Sequence, residues 1–178
     1  PGALASATAQ ISLGVINSIA VNESGFGFSA PVVTITGGNP TPGFEATAIA
    51  SGGVDNLMLS TSGSGYTIQP IVEFSLPNLP GGIQATGSAT MDASGVFIGV
   101  DVINPGSGYT SAPTVTILDG NQINATDPAI VMATIGIGQI DLISGGQGYD
   151  SAPTVTIADV GNIDRGASAT ATVAVRGA

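Results

Sequence analysis

The stretch Gly106-Ser107-Gly108-Tyr109-Thr110-Ser111-Ala112-Pro113-Thr114-Val115-Thr116-Ile117 returns as Gly146-Gln147-Gly148-Tyr149-Asp150-Ser151-Ala152-Pro153-Thr154-Val155-Thr156-Ile157. Two looser copies lie upstream: Gly25-Phe26-Gly27-Phe28 leading to Pro31-Val32-Val33-Thr34-Ile35, and Gly63-Ser64-Gly65-Tyr66 leading to Pro70-Ile71-Val72-Glu73-Phe74. The aromatics Phe28, Tyr66, Tyr109 and Tyr149 are spaced 38, 43 and 40 residues apart. Near-constant spacing of one phrase marks an internally repeated protein, and the repeat is the unit in which the rest of the chain has to be read.

Each copy divides into three strand-like segments. Segment A alternates alanine with threonine or serine, as in Ala46-Thr47-Ala48, Ala85-Thr86-Gly87-Ser88-Ala89-Thr90 and Ala133-Thr134. Segment B precedes the turn and is β-branched. Its apolar residues stand four, six and nine positions before the first turn glycine: Val21, Ile19, Ile16; Leu59, Leu57, Val54; Val102, Val100, Phe97; and Leu142, Ile140, Ile137. A pleated strand repeats every two residues, so the step from six to nine predicts a bulge or bend at that place in every copy. Segment C is the Pro-Thr-Val-Thr-Ile run, whose leading proline lacks a donor and suits the first residue of a strand. Gly, Thr, Val, Ile and Pro are poor helix formers and no stretch keeps a 3.6 period. The expected fold is therefore all-β: an antiparallel sandwich or barrel of about four A-B-C repeats, with hairpins at the Gly-x-Gly turns. A parallel solenoid is the alternative, disfavoured because the B–C turn is too short for a parallel crossover.

The ends of the chain carry the functional signal. A fifth A segment, Ala167-Ser168-Ala169-Thr170-Ala171-Thr172-Val173-Ala174-Val175, closes the sequence, and the first A segment is the longest alternation present. Ala3, Ala5, Ala7, Ala9, Ile11, Leu13 and Val15 would share one face of an extended strand. Five A segments for four B–C pairs leave one over. A surplus terminal strand with an apolar face can complete another molecule's sheet, and such a head-to-tail contact does not close on itself but propagates. The division expected is residues 1–16 as a donor strand and 17–178 as a repeat-built β domain or two packed lobes, with the chain's main partner being itself.

Composition excludes much else. The 178 residues hold twelve acids and two arginines, a net charge of −10, which argues against nucleic acid or an anionic membrane as partner. No apolar run reaches the ~18–20 residues of a spanning helix, and the start at Pro1-Gly2 suggests a processed or an artificially trimmed amino terminus. His, Cys and Lys are all absent, which removes Ser-His and Cys-His nucleophile pairs, His- or Cys-ligated zinc, Schiff-base chemistry and Walker-type phosphate loops. The acids Asp55, Asp92, Asp101, Asp141 and Asp150 are scattered and no pair is picked out for glycoside hydrolysis. No catalytic residue, cofactor or metal is expected. The loop Asp119–Asp127 has oxygens for calcium but not the spacing of a known calcium loop, and reads as a solvated turn.

The turn glycines Gly25, Gly27, Gly63, Gly65, Gly106, Gly108, Gly146 and Gly148 read as tight turns rather than a nucleotide fingerprint, because a strand and not a helix follows each. The aromatics after them read as covers for the end of the sheets rather than sugar-stacking platforms. Asn22 and Asn124 stand in N-glycosylation sequons, so glycans are a further possible partner, while Asn39 is blocked by Pro40.

The phrase Gly-x-Gly-Tyr-x-Ser-Ala-Pro-Thr-Val-Thr-Ile, with Ala-Thr-Ala between copies, resembles repeats of bacterial surface proteins and of phage virion or tail proteins. The chain also looks like the protomers of extracellular helical fibrils found in environmental water. The resemblance implies a structural, strand-exchanging, extracellular homopolymer; a phage structural protein and a carbohydrate-binding surface module are the alternatives.

Overall fold

A computed structural model describes residues 3–66, 68–121 and 125–160. Among them the strands are β1 (Ser6–Ser12), β2 (Val15–Glu23), β3 (Pro31–Thr36), β4 (Thr47–Thr61), β5 (Ile71–Phe74), β6 (Thr86–Met91), β7 (Phe97–Asn104), β8 (Val115–Leu118), β9 (Ile130–Ser144) and β10 (Thr154–Asp159). They form five two-stranded sheets: β1·β2, β3·β10, β4·β9, β5·β8 and β6·β7. Four of these have an antiparallel register. The fifth runs the same way, since Gly52 lies against Gly136 while Asp55 accepts from the Thr134 hydroxyl, so that one strand ascends as the other descends. The protein is all-β and built of short antiparallel ribbons. No closed barrel forms among the described residues, and the pairing excludes the parallel solenoid.

The chain divides into two compact units, one of residues 1–52 and 136–178, the other of 53–135, with both divisions falling inside the long strands β4 and β9. Unit 1 takes segments A and B of copy 1 as the hairpin β1·β2, pairs the C segments of copies 1 and 4 as β3·β10, and sets the A end of β4 beside the B end of β9. Unit 2 repeats the plan with copies 2 and 3: hairpin β6·β7, the C·C ribbon β5·β8, and the B end of β4 beside the A end of β9. Each unit thus contains two A·B ribbons and one C·C ribbon.

This arrangement corrects the expected B–C hairpins. The link from Glu23 to Pro31 is too long for a tight hairpin, and it turns the chain away from β2. Strand β3 therefore leaves β2 and finds β10, the same segment of another copy. The side-chain period says which face is buried but not which edge pairs.

The bulge is where the apolar spacing puts it. In β1·β2 the register passes from Gln10↔Ser18 to Ile11↔Ile16, leaving Asn17 extra; in β6·β7 it passes from Thr90↔Gly99 to Met91↔Phe97, leaving Ile98 extra. Both residues stand eight positions before the turn glycine. A second bulge, not legible in the spacing, sits at Asn22 and at Ile103, three positions before it. Each pair of bulges sharpens the local twist and lets a short ribbon curl over its core.

In unit 1 the core is Ala5, Ala7, Ala9, Ile16, Ile19, Ile137, Ile140, Val155 and Ile157, all buried. The alanines let ribbons approach closely, while Val155 and Ile157 each contribute ~1.5–3 kcal/mol by burial. Unit 2 is built on Ala89, Phe97, Ile117, Ala129 and Val131, with Leu57, Leu59, Val72 and Val100 only partly covered. The Tyr66 and Phe97 rings lie 6.0 Å apart in a tilted pair within it.

Candidate functional site

The repeated turns and the N-terminal strand are the residues the sequence singles out, and the fold brings them together in pairs. Every turn glycine has a positive φ, between 55° and 85°. The first glycine of each turn lies against the start of an A segment. At Gly106 a side chain would meet the Ala85 nitrogen at 2.7 Å, and at Gly146 the Ala46 nitrogen at 2.7 Å, so close approach and positive φ both demand glycine.

The tyrosine three residues on explains itself by its hydroxyl. The Tyr149 oxygen accepts the Ala46 N–H at 2.8 Å, Tyr109 the Ala85 N–H at 2.9 Å, and Tyr66 the Ala129 N–H at 2.7 Å. Tyr109 also donates to the Ser75 carbonyl at 2.9 Å. Each ring thus anchors the first backbone donor of an A segment. Tyr109 and Tyr149 are buried and present no flat face to a sugar, while Tyr66 is half-buried. Tyr109→Phe should cost about 1–2 kcal/mol, the value of a buried hydroxyl that leaves its partners unpaired, read as a lower urea midpoint with unchanged slope.

Copy 1 is the exception. Phe28 is buried at the equivalent position but offers no hydroxyl to Ala5, the first core alanine of the N-terminal A segment. The anchor that holds the other three A segments is missing from the one that leads the chain.

The N-terminal segment pairs within its own chain. Ala7 lies opposite Val21 and Ala9 opposite Ile19, and Ala5, Ala7 and Ala9 are fully buried; Ala3 bridges Phe26. The seven-residue face Ala3 to Val15 does not run straight through. The segment reverses at Leu13-Gly14, with Ser12 opposite Val15, and Ile11 is only half-buried. Both turn residues have positive φ, 53° at Leu13 and 76° at Gly14, as a two-residue hairpin loop requires. Asparagine or glycine normally fills such a position; here a leucine does, and its side chain is 100% exposed.

Two buried carboxylates complete the C·C ribbons. Asp159 accepts the Ser29 N–H at 3.0 Å, the Ala30 N–H at 2.7 Å and the Ser29 hydroxyl at 2.9 Å, holding the approach to β3. Asp119, two residues after Ile117 as Asp159 is after Ile157, accepts the Ile68 N–H at 3.1 Å before β5. Asp119 reads from the sequence only as the start of a solvated loop. The signal for both is the shared Ile-x-Asp ending of copies 3 and 4, which keeps Asp119 in phase with Ile117 and Asp159 in phase with Ile157 on the inward face.

Of the sequon asparagines, Asn22 is exposed at its bulge and donates to the Thr8 hydroxyl at 2.7 Å, and Asn124 lies outside the described residues, as does the fifth A segment. No group of three His, Cys, Asp or Glu side chains converges among the described residues. No helix is long and apolar enough to cross a membrane.

No family model, curated protein or solved structure matches this chain.

Proposed function

We propose that the protein is a non-catalytic structural subunit that self-assembles outside the cell into a helical fibre, by exchanging its N-terminal strand with a neighbouring copy. The observation that carries this is Leu13. A left-handed backbone costs an L-residue ~1–2 kcal/mol, and a fully exposed leucine at a hairpin tip gains nothing in return. The alternation Ile11, Leu13, Val15 continues straight through the turn, so the same residues are suited to one long extended strand. Opening the hinge relieves the strain, and β1 can then repeat its contacts with Val21 and Ile19 in another molecule. Strained two-residue hinges favour such exchange, and a head-to-tail exchange that does not close gives a filament. Phe28 supports the same strand, because the A segment it should anchor is held by one hydrogen bond fewer. The extracellular setting follows the resemblance to surface and environmental fibrils. Three of the four turn aromatics, Phe28, Tyr109 and Tyr149, are buried, which weakens the sugar-binding alternative.

Leu13→Gly relaxes the closed hinge without touching the exchanged contacts. It should raise the concentration needed for polymer about 5–30-fold, the equivalent of ~1–2 kcal/mol, as seen by sedimentation and negative-stain microscopy. Deleting Pro1 to Leu13 should abolish polymer and leave a folded, less stable monomer. Undiminished fibres from either variant would overturn the exchange.

A further inference from the structure

Unit 2 has an open seam where unit 1 is closed. In unit 1 the free edges of the two B segments are joined at both ends by the same bond, from the N–H nine positions before the turn glycine to the carbonyl one position before it. Ile16 donates to Gly145 at 2.9 Å and Ile137 donates to Ser24 at 3.0 Å. Unit 2 makes the corresponding bond once, Val54 to Pro105 at 2.8 Å. Its counterpart, Phe97 N–H to the Ser62 carbonyl, is not made among the described residues. Between the splayed edges lies a groove of about 340 Å³ lined by Leu57, Leu59, Ile98, Val100, Asp101 and Val131.

Two further observations say the groove lacks a strand. The positions six before the turn glycine are buried in unit 1, with Ile19 at 7% and Ile140 at 6% exposure, whereas Leu57 and Val100 in unit 2 are only partly covered and the bulged Ile98 beside them is 51% exposed. Among the described residues strand β7 ladders only with β6, and β4 only with β9, so each keeps one edge without a ladder. Unpaired edges flanking an apolar groove are a site for strand addition.

We propose that this groove receives Ala167–Val175 of a second copy. Within the described residues each of the four A segments already has its B partner, so the fifth is the one left over. In an extended strand its Ala167, Ala169, Ala171, Val173 and Val175 would share a narrow apolar face suited to a shallow groove. Charge agrees: both arginines of the chain, Arg165 and Arg176, flank the segment, all twelve acids lie before it, and Asp101 lines the groove. The proposal rests on the self-assembly reading and adds to it a second contact between copies, separate from the N-terminal exchange at the Leu13 hinge.

The chain has no cysteine, which makes the test direct. Full-length Ile98→Cys protein is mixed with full-length chains bearing a single cysteine at Thr170, Ala171 or Thr172, and oxidised; Val32→Cys, exposed on β3, replaces Ile98→Cys in the control. At least one pairing should give disulfide heterodimer about tenfold above the control, because bridging requires Cα atoms within ~7 Å. Ile98→Glu on otherwise native protein, with melting temperature confirming the fold, should lower assembly by a similar factor. Heterodimer at control level across the panel overturns the proposal. Polymer that forms without the cross-link defeats this contact alone. A cross-link in discrete oligomers that never grow into fibres supports the contact and defeats the fibre reading.

Discussion

Gly52→Ala should yield little or no folded protein, while Gly138→Ala, two residues beyond Gly136, on which Gly52 packs, should melt within a few degrees of the parent. A Cβ on Gly52 would sit 1.7 Å from the Gly136 carbonyl oxygen, 2.8 Å from its carbon and 3.0 Å from the Gly138 nitrogen. All three are backbone atoms of β9, so no rotamer change makes room, and relief requires prising β4 from β9. Overpacking a core by one methyl typically costs 1–3 kcal/mol; a clash with a strand backbone should exceed about 4 kcal/mol, a large share of the ~5–15 kcal/mol that holds a domain together. At Gly138 the added carbon would meet Gly52 Cα at 3.8 Å and the Ser51 oxygen at 3.9 Å, ordinary contacts. Expression in soluble form and thermal unfolding followed by circular dichroism separate the two. Equal melting temperatures would show that β4 and β9 do not approach as described.

Asp159→Ala should be the most damaging change to any side chain of the C·C ribbons. The carboxylate is 7% exposed and holds two backbone donors and one hydroxyl ahead of β3. Charge-assisted bonds are worth ~1.5–3 kcal/mol each to stability, and truncation leaves the half-buried Ser29 and Ala30 donors without their acceptor. The expected loss is about 3–5 kcal/mol in urea unfolding. Asp159→Asn keeps a carbonyl acceptor in the same place and should lose about 1–2 kcal/mol, since the charge is gone but not every bond. If the two variants lose the same amount, the carboxylate is not acting as the acceptor described.

The strands, the turns and the first bulge were legible in the sequence because each leaves a local trace. Alternation marks β1 and β10, paired glycines mark the left-handed turns, and the out-of-phase Ile16 and Phe97 mark the bulges at Asn17 and Ile98. Partner choice left no such trace. That β3 finds β10 and β5 finds β8 depends on edges, which side-chain patterning does not encode. The tyrosines were legible as buried covers for sheet ends but not as hydrogen-bond anchors, since the residue they hold, Ala46, Ala85 or Ala129, contributes only its backbone. The departure at Phe28 was visible as a missing hydroxyl; what it lacks became clear only when Ala5 took the place of those alanines.

The pairing of copy 1 with copy 4 and of copy 2 with copy 3 also sets a timetable for biosynthesis. Thr36 meets Thr154 across β3·β10, so β3 must wait while more than a hundred residues are made, about 5–20 s at ribosomal speeds of ~5–20 residues per second. Residues 53–135 are contiguous and can complete their ribbons in that interval. The first fifty residues leave the ribosome with their cross-copy partners still unsynthesised. A nested order of this kind places the last step of maturation at the carboxyl end, and a chaperone or export factor that held the nascent amino-terminal third would act on the most vulnerable part of the molecule.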